Sequence, residues 1–224
     1  MKTIPIRPLL APKFLLFVFA ALVLLAGCDL TGIRGNGNIV TEQRNVSEFS
    51  SVEARGALRV EWKPGAAMLS LTADQNLLSL IETAVSGRKL ILHPRDNIRP
   101  SQTIVVRISS PGLTSVALRG AVRFQAANIN TSDFYLDGEG ATRTELSGTA
   151  TALHAAISGA GRLDADSMHA QQVELSISGA GRAEVNASDK LSATISGAGK
   201  VIYSGNPRAI ERKISGAGSI QPRG

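Results

Sequence analysis

The sequence predicts an all-β chain folded as a right-handed parallel β-helix (β-solenoid), with coils of about 18–21 residues marked by Ser-Gly-Ala-Gly corners. Three observations carry this. The tetrapeptide recurs at 158–161, 178–181, 196–199 and 215–218, with successive spacings of 20, 18 and 19 residues, so one small unit is stacked on copies of itself. Ahead of the corners, apolar residues alternate with polar or small ones: Leu153, Ala155 and Ile157; Val173, Leu175 and Ile177; Leu191, Ala193 and Ile195. A period of two puts each trio on one face of a strand. No helical periodicity occurs in the repeat, and the leucine pattern of a leucine-rich repeat of similar period is absent.

The elements follow in chain order. Residues 1–27 read as a lipoprotein signal peptide: Lys2, Arg7 and Lys13 form a basic region, and Phe14 to Leu25 is an apolar run of twelve. That run is short for a spanning helix; an uncleaved anchor helix is the alternative. Leu25-Ala26-Gly27-Cys28 resembles the lipobox of bacterial lipoproteins, which implies lipidation of Cys28 as the new N-terminus and a membrane partner reached through that anchor. Cys28 is the only cysteine, so an internal disulfide is excluded. Asp29 resembles an inner-membrane retention signal, so the expected location is the bacterial cell envelope, inner or outer membrane left open. Residues 28–38, with Gly32-Ile33-Arg34-Gly35-Asn36-Gly37-Asn38, read as the lipidated N-terminus and a polar tether leading to the first strand edge.

A single β-helical domain is expected over 39–224. Arg55-Gly56-Ala57-Leu58, Arg119-Gly120-Ala121-Val122 and Asp137-Gly138-Glu139-Gly140 read as degenerate copies of the corner. Between the first two lies a strand-rich insertion, about 59–118. Asp74 to Leu80 is expected to be a short capped helical turn, Ser86-Gly87-Arg88-Lys89 a hairpin and Ile104 to Ile108 a strand closed by Pro111-Gly112. One residue past each corner comes an inward position: Val60, Phe124, Thr142, Leu163, Ala183, Val201 and Ile220. Arg212 falls between Ile210 and Ile214 on the inner face of the last coil, where a bulge or fraying is expected. Corners need glycine for turn geometry and small residues for stacking at about 4.8 Å, and serine offers a hydroxyl to neighbouring backbone.

These features together resemble one family. Gly35-Asn36-Gly37-Asn38-Ile39-Val40, the strand from Val52 to Val60 with its Gly-Ala corner, the Ser-Gly-Ala-Gly series and Val201-Ile202-Tyr203-Ser204-Gly205-Asn206-Pro207 are similar to the auto-transporter adhesin head GIN domain family, over roughly residues 35–220. The resemblance implies a β-helical, exported bacterial protein, often a lipoprotein, and implies no catalytic residues.

The charge balance excludes a nucleic-acid footprint. Three of the 24 Lys and Arg fall in the first 27 residues, leaving 21 against 18 acids, a net +3. His93, His154 and His169 show no metal-ligand spacing, and no cofactor is implied. Asp164 with Asp166, Asp133 with Asp137, and Asp137 with Glu139 are the carboxylate pairs a polysaccharide-processing enzyme, the alternative reading, would use. Short turns such as Asn186-Ala187-Ser188-Asp189 leave little loop for a cleft. Trp62, Tyr135 and Tyr203 are the only Trp and Tyr residues available as sugar platforms. One column stands out: the residues after the corners are Arg59, Arg123, Ala141, Arg162, Arg182, Lys200 and Ser219, a partial outward cationic ladder. Two residues on come Glu61, Gln125, Arg143, Asp164, Glu184, Ile202 and Gln221. Either the acids of the second column neutralise the first, or the ladder of Arg59, Arg123, Arg162, Arg182 and Lys200 binds an anionic partner. The expected function is a non-catalytic envelope lipoprotein whose rigid surface serves adhesion, scaffolding or binding of an envelope polysaccharide, anionic polymer or protein partner.

Overall fold

A computed structural model of the chain describes residues 32–224, of which 33–224 form one compact unit. The segment expected to be a signal peptide, residues 1–27, and Cys28 lie outside the described residues. The strands are Ile33–Arg34 (β1), Ile39–Arg44 (β2), Ser51–Gly56 (β3), Leu58–Pro64 (β4), Met68–Asp74 (β5), Ile81–Ser86 (β6), Lys89–Pro94 (β7), Ile98–Arg99 (β8), Ile104–Ser110 (β9) and Ser115–Gly120 (β10). They continue with four long, bent strands, Arg123–Gly140 (β11), Arg143–Gly159 (β12), Arg162–Gly179 (β13) and Arg182–Gly197 (β14), then Lys200–Ser204 (β15), Ala209–Ser215 (β16) and Ser219–Pro222 (β17). A 3-10 turn, Gln75–Leu80, lies between β5 and β6.

Stacked parallel coils make the unit a β-solenoid. Before the corners, β7, β3, β10 and the C-terminal parts of β11 to β14 lie side by side, followed by β16. After the corners, β9, β4 and the N-terminal parts of β11 to β14 do the same, followed by β15 and β17. The alternating apolar residues fill the column between them: the nine residues from Leu153 to Ile195 named above are all buried, and so are Val60, Phe124, Leu163, Ala183 and Val201. Period differences are absorbed away from the corners. Against its 20-residue neighbour the 18-residue coil lacks three residues where the register jumps from Ala165/Val185 to His169/Asn186, and regains one between Ala170/Ala187 and Gln172/Lys190.

Each corner assigns its glycines separate tasks. The first sits at positive φ in every coil, from +94° at Gly159 to +120° at Gly197, with its copies in direct register. The alanine amide that follows donates to the glycine carbonyl one coil back, as in Ala180 N to Gly159 O at 2.8 Å. The expected serine contribution is not seen: among the described residues, the hydroxyls of Ser158, Ser178, Ser196 and Ser215 make no hydrogen bond. The second glycine is a matter of room, since a Cβ on Gly199 would lie 2.8 Å from the Ile177 Cγ2 methyl. One corner is corrected. Gly140, not Gly138, pairs with both Gly120 and Gly159, so the third corner is Glu139-Gly140-Ala141-Thr142 and its inward residue is Thr144, two residues later than the spacing predicts.

The insertion turns out to be the end coil and its cap. β7 packs outside β3 and β9 outside β4, so residues 89–110 form a coil beneath the one that precedes them in sequence. The antiparallel strands β6, β5 and β2 then cover its edges, which blunts the pairing hazard of an open sheet. The hairpin is as expected, with Gly87 and Arg88 at positive φ between Ser86 and Lys89. The capped turn is corrected: Asp74 makes no side-chain cap to the 3-10 turn. Its buried carboxylate instead accepts from Gly37 N at 2.8 Å, Ser101 N at 2.9 Å and Ser101 Oγ at 2.6 Å. The tether reading also changes, because β1 pairs with β8 and residues 35–38 wrap around Asp74. Arg212 is no bulge: it stands in regular register with Ala193, and its guanidinium donates to Tyr203 Oη at 2.6 Å while lying 5.4 Å from that ring's centroid.

Candidate functional site

The corrected corner completes the cationic column. Counting from Gly140 places Arg143 where Ala141 was expected, and the register runs Arg59, Arg123, Arg143, Arg162, Arg182, Lys200, with Ser219 after it. Six cations therefore occupy six successive strands without a gap. At about 4.8 Å per strand they extend over roughly 24 Å. Arg123, Arg143 and Arg162 are exposed, and Arg59, Arg182 and Lys200 are half-buried. The sequence missed Arg143 because its glycine neighbours, two apart like those of the exact corners, offered a false register.

The neighbouring acids are mostly occupied elsewhere. The corrected second column reads Glu61, Gln125, Glu145, Asp164, Glu184, Ile202 and Gln221. Glu61 pairs with Arg107 at 3.0 Å, Glu145 accepts from Gln125 at 2.6 Å, and Asp164 accepts a long bond from the Asp166 amide. Glu184 alone reaches the ladder, at 2.9 Å from Arg182, and it also holds Arg223 at 2.6 Å. Among the described residues, Arg59, Arg123, Arg143, Arg162 and Lys200 make no ion pair. Acids two residues along the strand soften the local potential, yet five of the six cations keep their donors free for a ligand. Arg59, Arg123 and Arg143 border a small groove of about 140 Å³, which Gln125 and Glu145 share.

The other residues singled out in the sequence are dispersed. Asp137 and Glu139 both engage Arg119; Asp166 accepts from Ser204 Oγ at 2.6 Å and lies 3.3 Å from Arg223. Asp133 is 3.9 Å from His154 Nε2. His93 lies 3.7 Å from Glu82, and His169 is exposed. Among the described residues no three His, Cys, Asp or Glu side chains are placed to hold a metal ion, and no helix is long and apolar enough to cross a membrane.

Comparisons with known proteins agree with this architecture. The sequence profile of the family described as "Putative auto-transporter adhesin, head GIN domain" matches residues 48–207. A crystal structure of a "putative adhesin" from Bacteroides fragilis superposes with a TM-score of 0.72 at 21% identity, covering 86% of this chain and 100% of that one. A "putative lipid binding protein" from Parabacteroides distasonis gives 0.56 at 22% identity, covering 87% and 100%. A "putative adhesin" from Parabacteroides merdae gives 0.52 at 18% identity, covering 86% and 99%. At these identities the likeness establishes the fold alone. No curated protein matches the sequence.

Proposed function

We propose a function from the premise that the chain belongs to the auto-transporter adhesin head GIN domain family: a non-catalytic envelope protein, lipid-anchored at Cys28, whose solenoid binds an extended anionic polymer along the ladder from Arg59 to Lys200. The observation that carries this reading is the unbroken register of six cations, five of them without an ion pair. Like charges one strand apart repel, so the column costs stability unless something outside it supplies the counter-charge. Regularly spaced anions on a polymer would meet successive coils in step. The adhesin names of the family and of its structural neighbours agree with a surface that binds and does not turn over.

The ladder and the anchor are tested separately. Replacing the unpaired Arg123, Arg143, Arg162 and Lys200 together with glutamine is expected to reduce retention on isolated envelope material at low salt by at least about ten-fold and to flatten its salt dependence. The same variant should melt no lower than the wild type, because repulsion is relieved. Unchanged retention, or a clear fall in Tm showing that the column is a structural charge network, would overturn the ladder. Release of product from any polymer in the same assay would overturn the non-catalytic reading. For the anchor, Cys28→Ser is expected to move the protein from the membrane to the soluble envelope fraction and to abolish incorporation of labelled fatty acid; retained labelling would remove Cys28 as the site.

A further inference from the structure

A second outward column, on the strands before the corners, reads Lys89, Ser51, Ser115, Tyr135, His154 and Glu174 in successive rungs. Tyr135 is 51% exposed, whereas Trp62 and Tyr203 are 4% and 6% exposed, so it is the one Trp or Tyr offered to solvent. The imidazole of His154 covers one of its faces, with ring centroids 4.7 Å apart and planes 9° apart. Glu174 holds that imidazole at 3.1 Å from Nδ1. The rungs on the other side of Tyr135 are Ser115 and Ser51, short side chains whose hydroxyls hydrogen-bond to each other at 2.6 Å. The second face of the tyrosine therefore looks along a gap two rungs wide, closed at its far end by Lys89, which lies 3.5 Å from Glu53. Tyr135, the two serines, Lys89, Ala117 and Ala156 line one open depression of about 460 Å³.

We propose that this depression is a carbohydrate subsite for a hexopyranose with equatorial ring substituents. Such a sugar carries its axial C–H bonds on a flat face and its hydroxyls around the rim. The electron-rich face of Tyr135 meets the C–H face, and the paired serine hydroxyls, Asp137 and Lys89 supply donors and acceptors for the rim. An acyl chain needs an enclosed slot, whereas this depression is open; its mostly apolar floor suits the C–H face of a sugar, and Ser51, Ser115, Lys89 and Asp137 stand around it. His154 acts as a positioning residue, since its stacking fixes the plane of Tyr135. The subsite is independent of the cationic ladder, which lies on the strands after the corners, and its ligand need carry no charge.

The test is ligand-observed NMR and calorimetry with cellohexaose, using the full chain in a detergent without a sugar headgroup. Wild type should show saturation transfer to the sugar C–H protons and a Kd in roughly the millimolar range, as expected for so open a site. Tyr135→Ala should weaken binding at least ten-fold with its circular dichroism unchanged, Tyr135→Phe should retain it, and Ser115→Tyr, which fills the gap and leaves Tyr135 in place, should abolish it. High salt and the ladder variant should leave cellohexaose binding intact. No binding by wild type, equal binding by Tyr135→Ala, or loss of binding in salt would overturn the subsite; failure of the ladder alone would not touch it.

Discussion

Gly179→Ala is expected to destabilise the solenoid by roughly 3 kcal/mol or more, whereas Gly181→Ala, two residues away in the same corner, should cost only about 1 kcal/mol. The difference follows from what each glycine does. Gly179 holds φ at +112°, a conformation that L side chains rarely adopt, and a Cβ there would lie 2.6 Å from the Gly159 carbonyl oxygen and 3.2 Å from its N and Cα. All three atoms are backbone, and the same carbonyl accepts the Ala180 amide at 2.8 Å. Neither coil can yield without opening the coil-to-coil bond. Gly181 has ordinary φ, and its Cβ would meet the Cγ2 methyls of Ile157 and Ile177 at 3.0 and 3.1 Å, which can shift, and the Gly161 carbonyl oxygen at 3.2 Å, which need give by only a few tenths of an ångström. Urea melts of both variants check this. Equal losses would mean that the corner is ruled by packing alone, and that the positive φ of its first glycine is incidental.

The same distinction explains how far the sequence was legible. Exact Ser-Gly-Ala-Gly corners and alternating apolar trios could be read directly, because repetition and a period of two report stacking and facing without further context. The column after the corners was legible at five of its six cations. Arg143 was lost because Gly138 and Gly140 mimic the two-glycine spacing of an exact corner, although only the φ-positive glycine is obligatory. Elsewhere the second position is Leu58, Val122 or Thr142. A search aligned on that single glycine, followed by alanine in every coil, would have found the register. The spatial inversion at the capped end was beyond the pattern, since periodicity says which segments resemble one another and not the order in which they stack. The Tyr135–His154 stack was equally hidden: it joins residues 19 apart through a register that becomes definite only once the third corner is placed.

Asp74→Asn is expected to lower Tm by an amount on the order of 5 °C or more at neutral pH, with the loss vanishing in acid. The carboxylate is enclosed and accepts three hydrogen bonds, from the Gly37 amide and from the amide and hydroxyl of Ser101. Those bonds tie together three parts of the capped end: the segment 35–38, the end of β5 and the residues following β8. No side chain fits between them, as a Cβ on Gly35 would fall 2.3 Å from the Asp74 carboxyl carbon. An asparagine replaces one acceptor oxygen by a donor group that faces donors, so at least one buried N–H or O–H is left without its partner. The Ser101 hydroxyl foremost, and then the Ser101 and Gly37 amides, hold the Asp74 carboxyl below its ordinary value of 3.8. Folding depresses this pKa, so the stabilisation is complete above the unfolded value and is lost as pH falls through the folded one. Melting curves of wild type and variant should therefore lie far apart at pH 7 and converge below about pH 4. Glu53 and Glu211, also held below their ordinary range, titrate in both proteins and cancel in the comparison. Curves that stay parallel down to acid pH would show that Asp74 contributes shape and not charge, and the wrap of residues 35–38 would then need another cause.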